Sequence, residues 1–273
     1  MSSMSREIPV GLWQELAAGW HNQTSVIVAL VLKDFKNKTD RGRLGLLWLI
    51  LEPMVMVVVM SIIWYLVRRQ TIDGVHVTLF LSSGMLMYAL IRRCMSTIPN
   101  AIKSNSSLLN YPQVKPLSCI VARFVFELVL LTVAGVILYF LLWWFFDLAP
   151  TFNDPLLLFE TLGITLALGL GCALLLGVYA TQYDSVGRLM SFMSRPLFFT
   201  SGVIHSLRDL PSYAREYLLW NPFLHLIDHG RSALYGIRLF PEENLVYPSM
   251  WAIALLGLGM LAYYANRFKL TQE

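Results

Sequence analysis

The run Lys33-Asp-Phe-Lys-Asn-Lys-Thr-Asp-Arg-Gly-Arg-Leu-Gly-Leu-Leu-Trp-Leu-Ile-Leu-Glu-Pro53 changes character half-way. Its first half is charged and mostly basic. From Leu44 it is apolar as far as Val67, with Glu52 and Ser61 the polar exceptions. Lysine and arginine attract anionic headgroups and resist crossing a bilayer, so the run reads as a strip on the cytoplasmic surface that turns into a membrane span. Glu52-Pro53 then lies about two turns inside that span. A carboxylate there is costly and normally functional, and the proline removes a backbone donor and bends the helix.

The rest of the chain agrees with a membrane reading. Of 273 residues, 56% are hydrophobic and 14% charged, against roughly 25% charged in soluble domains. About 20 apolar residues cross a bilayer core as a helix, so an all-α polytopic membrane protein is expected. The formal charge of +4 is distributed by loop rather than along one helix face. It therefore speaks of topology and membrane lipids, and not of nucleic acid. Cys94, Cys119 and Cys172 are far apart with no C-x-x-C pair, which suggests neither a zinc site nor a disulfide framework. Only Arg6 is basic near the start and no short apolar core follows it, so no cleavable signal is expected.

In chain order, residues 23–40 are expected to form an amphipathic helix lying on the cytoplasmic leaflet, preceded by Trp13 and Trp20 at helical spacing. Six spans follow, at about 45–67, 77–98, 121–142, 157–180, 187–204 and 247–266. Arg68-Arg69 and Asp73-Gly74 make the first exit loop. Residues 100–120 are polar, with Pro112 and Pro116 flanking a short segment, and read as a compact helix-turn element. Arg123 and Glu127 stand at i, i+4 in the third span and compensate one another. The fourth span carries Gly163, Gly169, Gly171, Ala173 and Gly177, a density of small residues that suggests close helix packing. Segment 205–246 holds two helical stretches, about 211–219 and 223–237. Each is too short or too charged to span, and they read as re-entrant helices on the outer side, tolerated where they line protein or a water-filled cavity.

Six spans put both termini on one side. With that side inside, fourteen lysines and arginines are cytoplasmic and six are outside, with Arg195 mid-span. The bias predicts cytoplasmic termini, and the outer arginines of 205–246 predict a positively charged vestibule.

No phosphate loop, nucleophile elbow, zinc-protease or dinucleotide fingerprint occurs, so hydrolysis of ATP by this chain is not expected. His225-x-x-Asp228-His229 puts three ligand types on one helical face, but a polar face toward headgroups or substrate is the preferred reading over a metal or hydrolytic site. Arg92-Arg93 reads either as an ordinary cytoplasmic flank or as an anion-accepting entrance, because guanidinium forks bind phosphate and carboxylate bidentately. Trp48 and the Trp143-Trp144 pair read as interfacial anchors. Trp64 and Tyr88 are open between anchoring and stacking on sugar rings.

Several motifs then carry a resemblance. Arg43-Leu-Gly-Leu-Leu-Trp-Leu-Ile-Leu-Glu-Pro53, Leu109-Asn-Tyr-Pro-Gln-Val-Lys-Pro116 with Ile120-Val-Ala-Arg123, Arg195-Pro-Leu-Phe-Phe199, and Tyr217-Leu-Leu-Trp-Asn-Pro-Phe-Leu-His225 with Arg231 are similar, in order, to stretches of the permease subunits of ABC-2 type capsular polysaccharide exporters. The Glu-Pro ending resembles the capsule branch more than O-antigen or teichoic acid permeases. The resemblance implies a homodimer in the bacterial inner membrane and two separate ATPase subunits that bind ATP and magnesium, this chain binding no cofactor itself. It also implies a lipid-linked acidic polysaccharide as cargo and a periplasmic adaptor. ATPase contacts are implied at Lys33, Asp34 and Lys36 of the interface helix and at Ser107, Leu108, Leu109, Asn110, Tyr111 and Lys115 of a coupling element. The expected substrate path runs over Glu52, Trp64, Tyr88, Arg92, Arg93 and Arg231, and the outer re-entrant segment is marked by Trp220, Asn221, Pro222 and His225. The rivals are an ABC-2 permease for a drug or lipid and a membrane-embedded hydrolase or transferase using His225, Asp228 and His229.

Overall fold

A computed structural model describes residues 12–40, 43–67 and 70–271. Helix α1 (Leu12–Asp40) contains the expected surface helix and begins earlier than residue 23. The side chains of Trp13 and Trp20, and Arg6, Arg41, Arg68 and Arg69, lie outside what is described. Then come α2 (Arg43–Leu66), a hairpin of β1 (Thr71–Ile72) and β2 (Val75–His76), α3 (Val77–Ser96), α4 (Ala101–Ser104), α5 (Pro116–Phe146), α6 (Pro155–Gln182), α7 (Asp184–Thr200), α8 (Ser212–Leu218), α9 (Pro222–Tyr235) and α10 (Val246–Asn266).

The first exit loop is sharper than a loop. Asp73 (φ 51°) and Gly74 (φ 82°) form a two-residue turn that pairs Thr71 with His76 and Ile72 with Val75. Positive φ at both turn positions suits the twist of a tight hairpin, which is why Asp-Gly stands there.

Five helices among the described residues are long and apolar enough to cross a membrane: α2, α3 with the short turns that continue it, α5, α6 and α10. The expected fifth span is the exception. Helix α7 has 17 residues and contains Asp184, Arg188 and Arg195, and at 1.5 Å per residue it reaches about 26 Å. It stops at Thr200 instead of 204, where Gly202 takes φ 66° and the chain turns back. The expected re-entrant stretches form the short helices α8 and α9.

Helices α6 and α10 pack through the expected small residues. A Cβ on Gly171 would come within 2.7 Å of the Leu256 amide nitrogen, and one on Gly259 within 2.9 Å of Leu174 Cβ. Small residues let backbones approach closely where lipid supplies no hydrophobic drive between helices. Helix α1 lays Leu30 against Ala101, Cys119 and Ala122, so the surface helix is seated on the start of α5 and on the α3–α5 connection.

Candidate functional site: a charged cavity and its inner braces

The Glu52-Pro53 dipeptide joins α2 to α3 through two arginines. Proline at 53 has no N–H, so the Leu49 carbonyl, four residues back, loses its helical donor. Arg93 Nη2 supplies one at 3.1 Å. The residue before it also reaches α2, but through a side chain: Arg92 Nη2 donates to Glu52 Oε1 at 2.7 Å. Two adjacent arginines of α3 thus hold two positions of α2 one turn apart, Leu49 and Glu52.

The two arginines differ in everything else. Arg93 and Glu127 form an ion pair at 2.7 Å with side chains 4% and 2% exposed. Glu127 also lies 3.1 Å from Arg123 Nε, the expected i, i+4 pair, and Arg123 reaches Asp34 of α1 at 3.2 Å. This network ties α1, α3 and α5 together, and α2 through Leu49. Arg93, expected on the substrate path, is thus buried and occupied by Glu127 and the Leu49 carbonyl, although it also borders the cavity described next. Arg92 and Glu52 are 37% and 36% exposed, and both face open space.

That space is a cavity of about 540 Å³ between α2, α3 and α7. Glu52, Pro53, Met56 and Met60 line it from α2; Met85, Tyr88, Ala89, Arg92, Arg93 and Ser96 from α3; and Ser191, Ser194, Arg195, Phe198 and Phe199 from one face of α7. Tyr88 donates its hydroxyl to the Ser194 carbonyl and stands edge-on to Phe198 at 5.2 Å. Of the two aromatics left open, Tyr88 therefore lines the cavity. Trp64 packs against the apolar cluster around Val57 and Phe80. Trp48, Trp143 and Trp144 are exposed, in keeping with interfacial anchors. Arg195, Phe198 and Phe199 were missed as site residues. The available signal was a charged residue inside an apolar helix with aromatics three and four positions on, which share its face.

Arg231, also expected on the substrate path, does not line this cavity. It is 1% exposed and donates to the carbonyls of Gly202 (2.7 Å), Val203 (2.6 Å) and Phe80 (3.3 Å), and to Asp228 (3.0 Å). Its guanidinium lies 3.6 Å from the Phe80 ring centroid. Gly84 leaves room for it, since a Cβ there would fall 2.3 Å from Nη2. Arg231 is a clamp between the α7 turn, α3 and α9, with no face left for substrate. Beside it Asp73 accepts from Ser206 Oγ and lies 3.8 Å from Arg208, so the β-hairpin is fastened to the outer segment. The stretch 205–211, poor in apolar residues, closes on itself through a capping box between Ser206 and Asp209.

Trp220-Asn221-Pro222 and His225 form a joint. Asn221 Oδ1 accepts from the Phe223 amide at 3.0 Å and its Nδ2 donates to Ser201 Oγ at 3.0 Å, while Pro222 opens α9, where a missing N–H costs nothing. His225 Nε2 donates to the Leu219 carbonyl at 2.8 Å, leaving Nδ1 to accept from the Asn244 amide at 3.3 Å. That is the neutral tautomer, and burial lowers the ring's pKa accordingly. His229 bonds the His225 carbonyl and Asp228 faces Arg231. The three do not converge, and among the described residues no group of His, Cys, Asp and Glu is arranged to hold a metal.

At the α1 end of the bundle Lys33 donates to Asn105 Oδ1 at 2.7 Å, and Lys103 pairs with Asp184 at the start of α7. The Lys103 ammonium lowers the exposed Asp184 carboxyl below its ordinary pKa. Leu108 and Leu109 are half-buried against α1, whereas Lys36, Ser107, Asn110, Tyr111 and Lys115 are exposed. The coupling element expected at 103–116 is thus a short helix, a 3-10 turn at Ser106–Leu108 and a bend, docked on α1 and presenting a polar outer surface.

The ABC-2 type transporter family pattern matches residues 25–235, from α1 through the end of α9. The chain belongs to the ABC-2 type transporter family. Among relatives of this ABC-2 chain, it is 27% identical over 246 residues to the polysialic acid transport protein KpsM of Escherichia coli, covering 90% of this chain and 95% of that one. It is 28% identical over 241 residues to the capsule polysaccharide export inner-membrane protein CtrC of Neisseria meningitidis, covering 87% and 89%. The capsule polysaccharide export inner-membrane protein BexB of Haemophilus influenzae is 26% identical over 243 residues, covering 88% and 90%.

Proposed function

We propose that this chain is the permease subunit of an ATP-driven exporter that moves lipid-linked acidic capsular polysaccharide across the bacterial inner membrane. The observation that carries the reading is the near full-length likeness to three permeases named for polysialic acid or capsule export, together with a cavity that mixes arginines, a carboxylate and aromatic rings. Phosphate and carboxylate groups suit guanidinium donors, and sugar faces suit Tyr88, Phe198 and Phe199.

The working unit is a homodimer with two ATPase subunits that bind ATP and magnesium. These dock on Lys33, Asp34 and Lys36 of α1 and on the outer surface of the coupling element. Asp34 leads through Arg123 and Glu127 to Arg93 and so to the α2 bend, which gives a push on α1 a rigid route to the cavity wall. Helix α7 completes six spans, helped across a thin margin by its terminal charges, so both termini lie in the cytoplasm. The outer helices α8 and α9 dip without crossing and meet a periplasmic adaptor. The membrane-enzyme reading is disfavoured because His225, Asp228 and His229 are each committed to structural bonds.

The test is deletion of this chain from an encapsulated host with its ATPase partner intact, followed by restoration. Surface polysaccharide should vanish while polymer accumulates inside, and should return with the chain. Unchanged surface polysaccharide after deletion refutes the reading, and loss of a small drug or lipid from the exported pool would favour the rival cargo.

A further inference from the structure

Three arginines line the cavity; Arg93 is buried in its pair with Glu127, and the other two stand in different states. Arg92 is engaged by Glu52 across the gap between α3 and α2. Arg195 on α7 is exposed, and among the described residues it makes no ion pair, hydrogen bond or ring contact. With α7 in the membrane, an unpaired guanidinium there is expensive unless it meets an anion or water. The Arg92–Glu52 pair is weakly held. Pairs about one-third exposed commonly contribute a factor of about five or less to an equilibrium constant. The buried pair one residue along, Arg93–Glu127, has no such freedom.

Resting on the polysaccharide reading above, we propose that Glu52 is an exchangeable counter-ion. It occupies Arg92 in the empty cavity and is displaced when a carboxylate or phosphate of the polymer arrives, Arg195 being the first cation that anion meets. Glu52 then acts as a selectivity element. A neutral polymer has nothing to offer Arg92 in exchange and leaves the pair closed, while a polyanion bridges Arg195 and Arg92. The carboxylate is also what keeps the cavity from retaining anions, because it re-forms the pair as each charged residue moves on. This explains a carboxylate in a path for acidic cargo, which attraction alone would not place there.

The test measures binding of two acidic oligosaccharides, one carboxylated (oligosialic acid) and one phosphodiester-linked, and of a neutral glucan of similar length, to the full-length chain in lipid nanodiscs. Glu52→Gln keeps shape and removes the competing charge. It should tighten acidic binding by up to about fivefold and leave the neutral glucan unchanged. Arg195→Gln and Arg92→Gln should each weaken acidic binding. In export, Glu52→Gln should slow turnover of acidic polymer despite the tighter binding. Unchanged or weaker acidic binding by a normally melting Glu52→Gln chain overturns the exchange, making Glu52 a brace for the α2 bend, and leaves the export reading standing. Failure of both acidic probes to bind the unaltered chain overturns the exchange and the polysaccharide reading together.

Discussion

Glu127→Gln should be far more damaging than Glu52→Gln, although both remove one carboxylate charge from an arginine partner. Glu127 is 2% exposed, lies 2.7 Å from Arg93 Nη1 and 3.1 Å from Arg123 Nε, and its loss leaves a guanidinium that is 4% exposed without a counter-charge. Breaking a buried pair from one side costs about 3–5 kcal/mol, because the remaining charge stays desolvated. For a chain of this size 1 kcal/mol corresponds to about 2–4 °C in melting temperature, so Glu127→Gln should lower it by roughly 6–20 °C. Glu52, 36% exposed, is solvated when its partner goes, and Glu52→Gln should shift melting by less than about 4 °C. Thermal unfolding of the two purified variants in the same detergent, followed by tryptophan fluorescence, compares them directly. A double replacement, Glu127→Leu with Arg93→Met, should recover part of the loss, since the orphaned charge is removed with its partner. Equal shifts for Glu127→Gln and Glu52→Gln, or a double variant worse than the single one, would refute the argument that burial separates the two arginines.

Gly171→Ala should destabilise by about 1–3 kcal/mol, as overpacking does, because its Cβ would sit 2.7 Å from a backbone nitrogen of α10, whereas Gly163, with nothing within 4 Å of a Cβ, should accept alanine without loss; paired melting measurements check this. Burial first, and then the nearby Asp228 carboxylate, push the Glu243 carboxyl up to about 8. A carboxyl raised on folding binds its proton more tightly in the folded chain. Stability should therefore be highest below about pH 4.5, the ordinary value, fall as pH rises toward about 8, and level off above it. Glu243→Gln should flatten that slope in melting experiments between pH 5 and 9.

Much of the architecture was legible because long apolar runs have few alternatives. Lipid forces backbone groups to pair within the segment, so the runs around 45–67, 77–98, 121–142, 157–180 and 247–266 had to become helices. Helix α5 extends beyond its expected bounds to Pro116 and Phe146 because proline serves as a first helical residue and the aromatic belt continues the helix. Helix α7 was harder: its apolar residues are mixed with Asp184, Arg188 and Arg195 and it is shorter than the five long apolar helices, and the turn at Gly202 depends on the Gly202 and Val203 carbonyls that Arg231 ties down from far along the chain.

The sequence by itself determined a charged run leading into a long apolar helix, a proline inside that helix, a small-residue seam in α6 and two short helices after α7, since each rests on local backbone chemistry or on transfer from water to lipid. Only the tertiary structure decided which charges are available. Arg92 and Arg93 are neighbours of one kind, set about 100° apart around a helix. Which of them meets the exposed Glu52 and which the buried Glu127 depends on how α3 is rotated against α2, α5 and α7. That rotation is fixed by packing across more than thirty residues of sequence, and no local pattern records it.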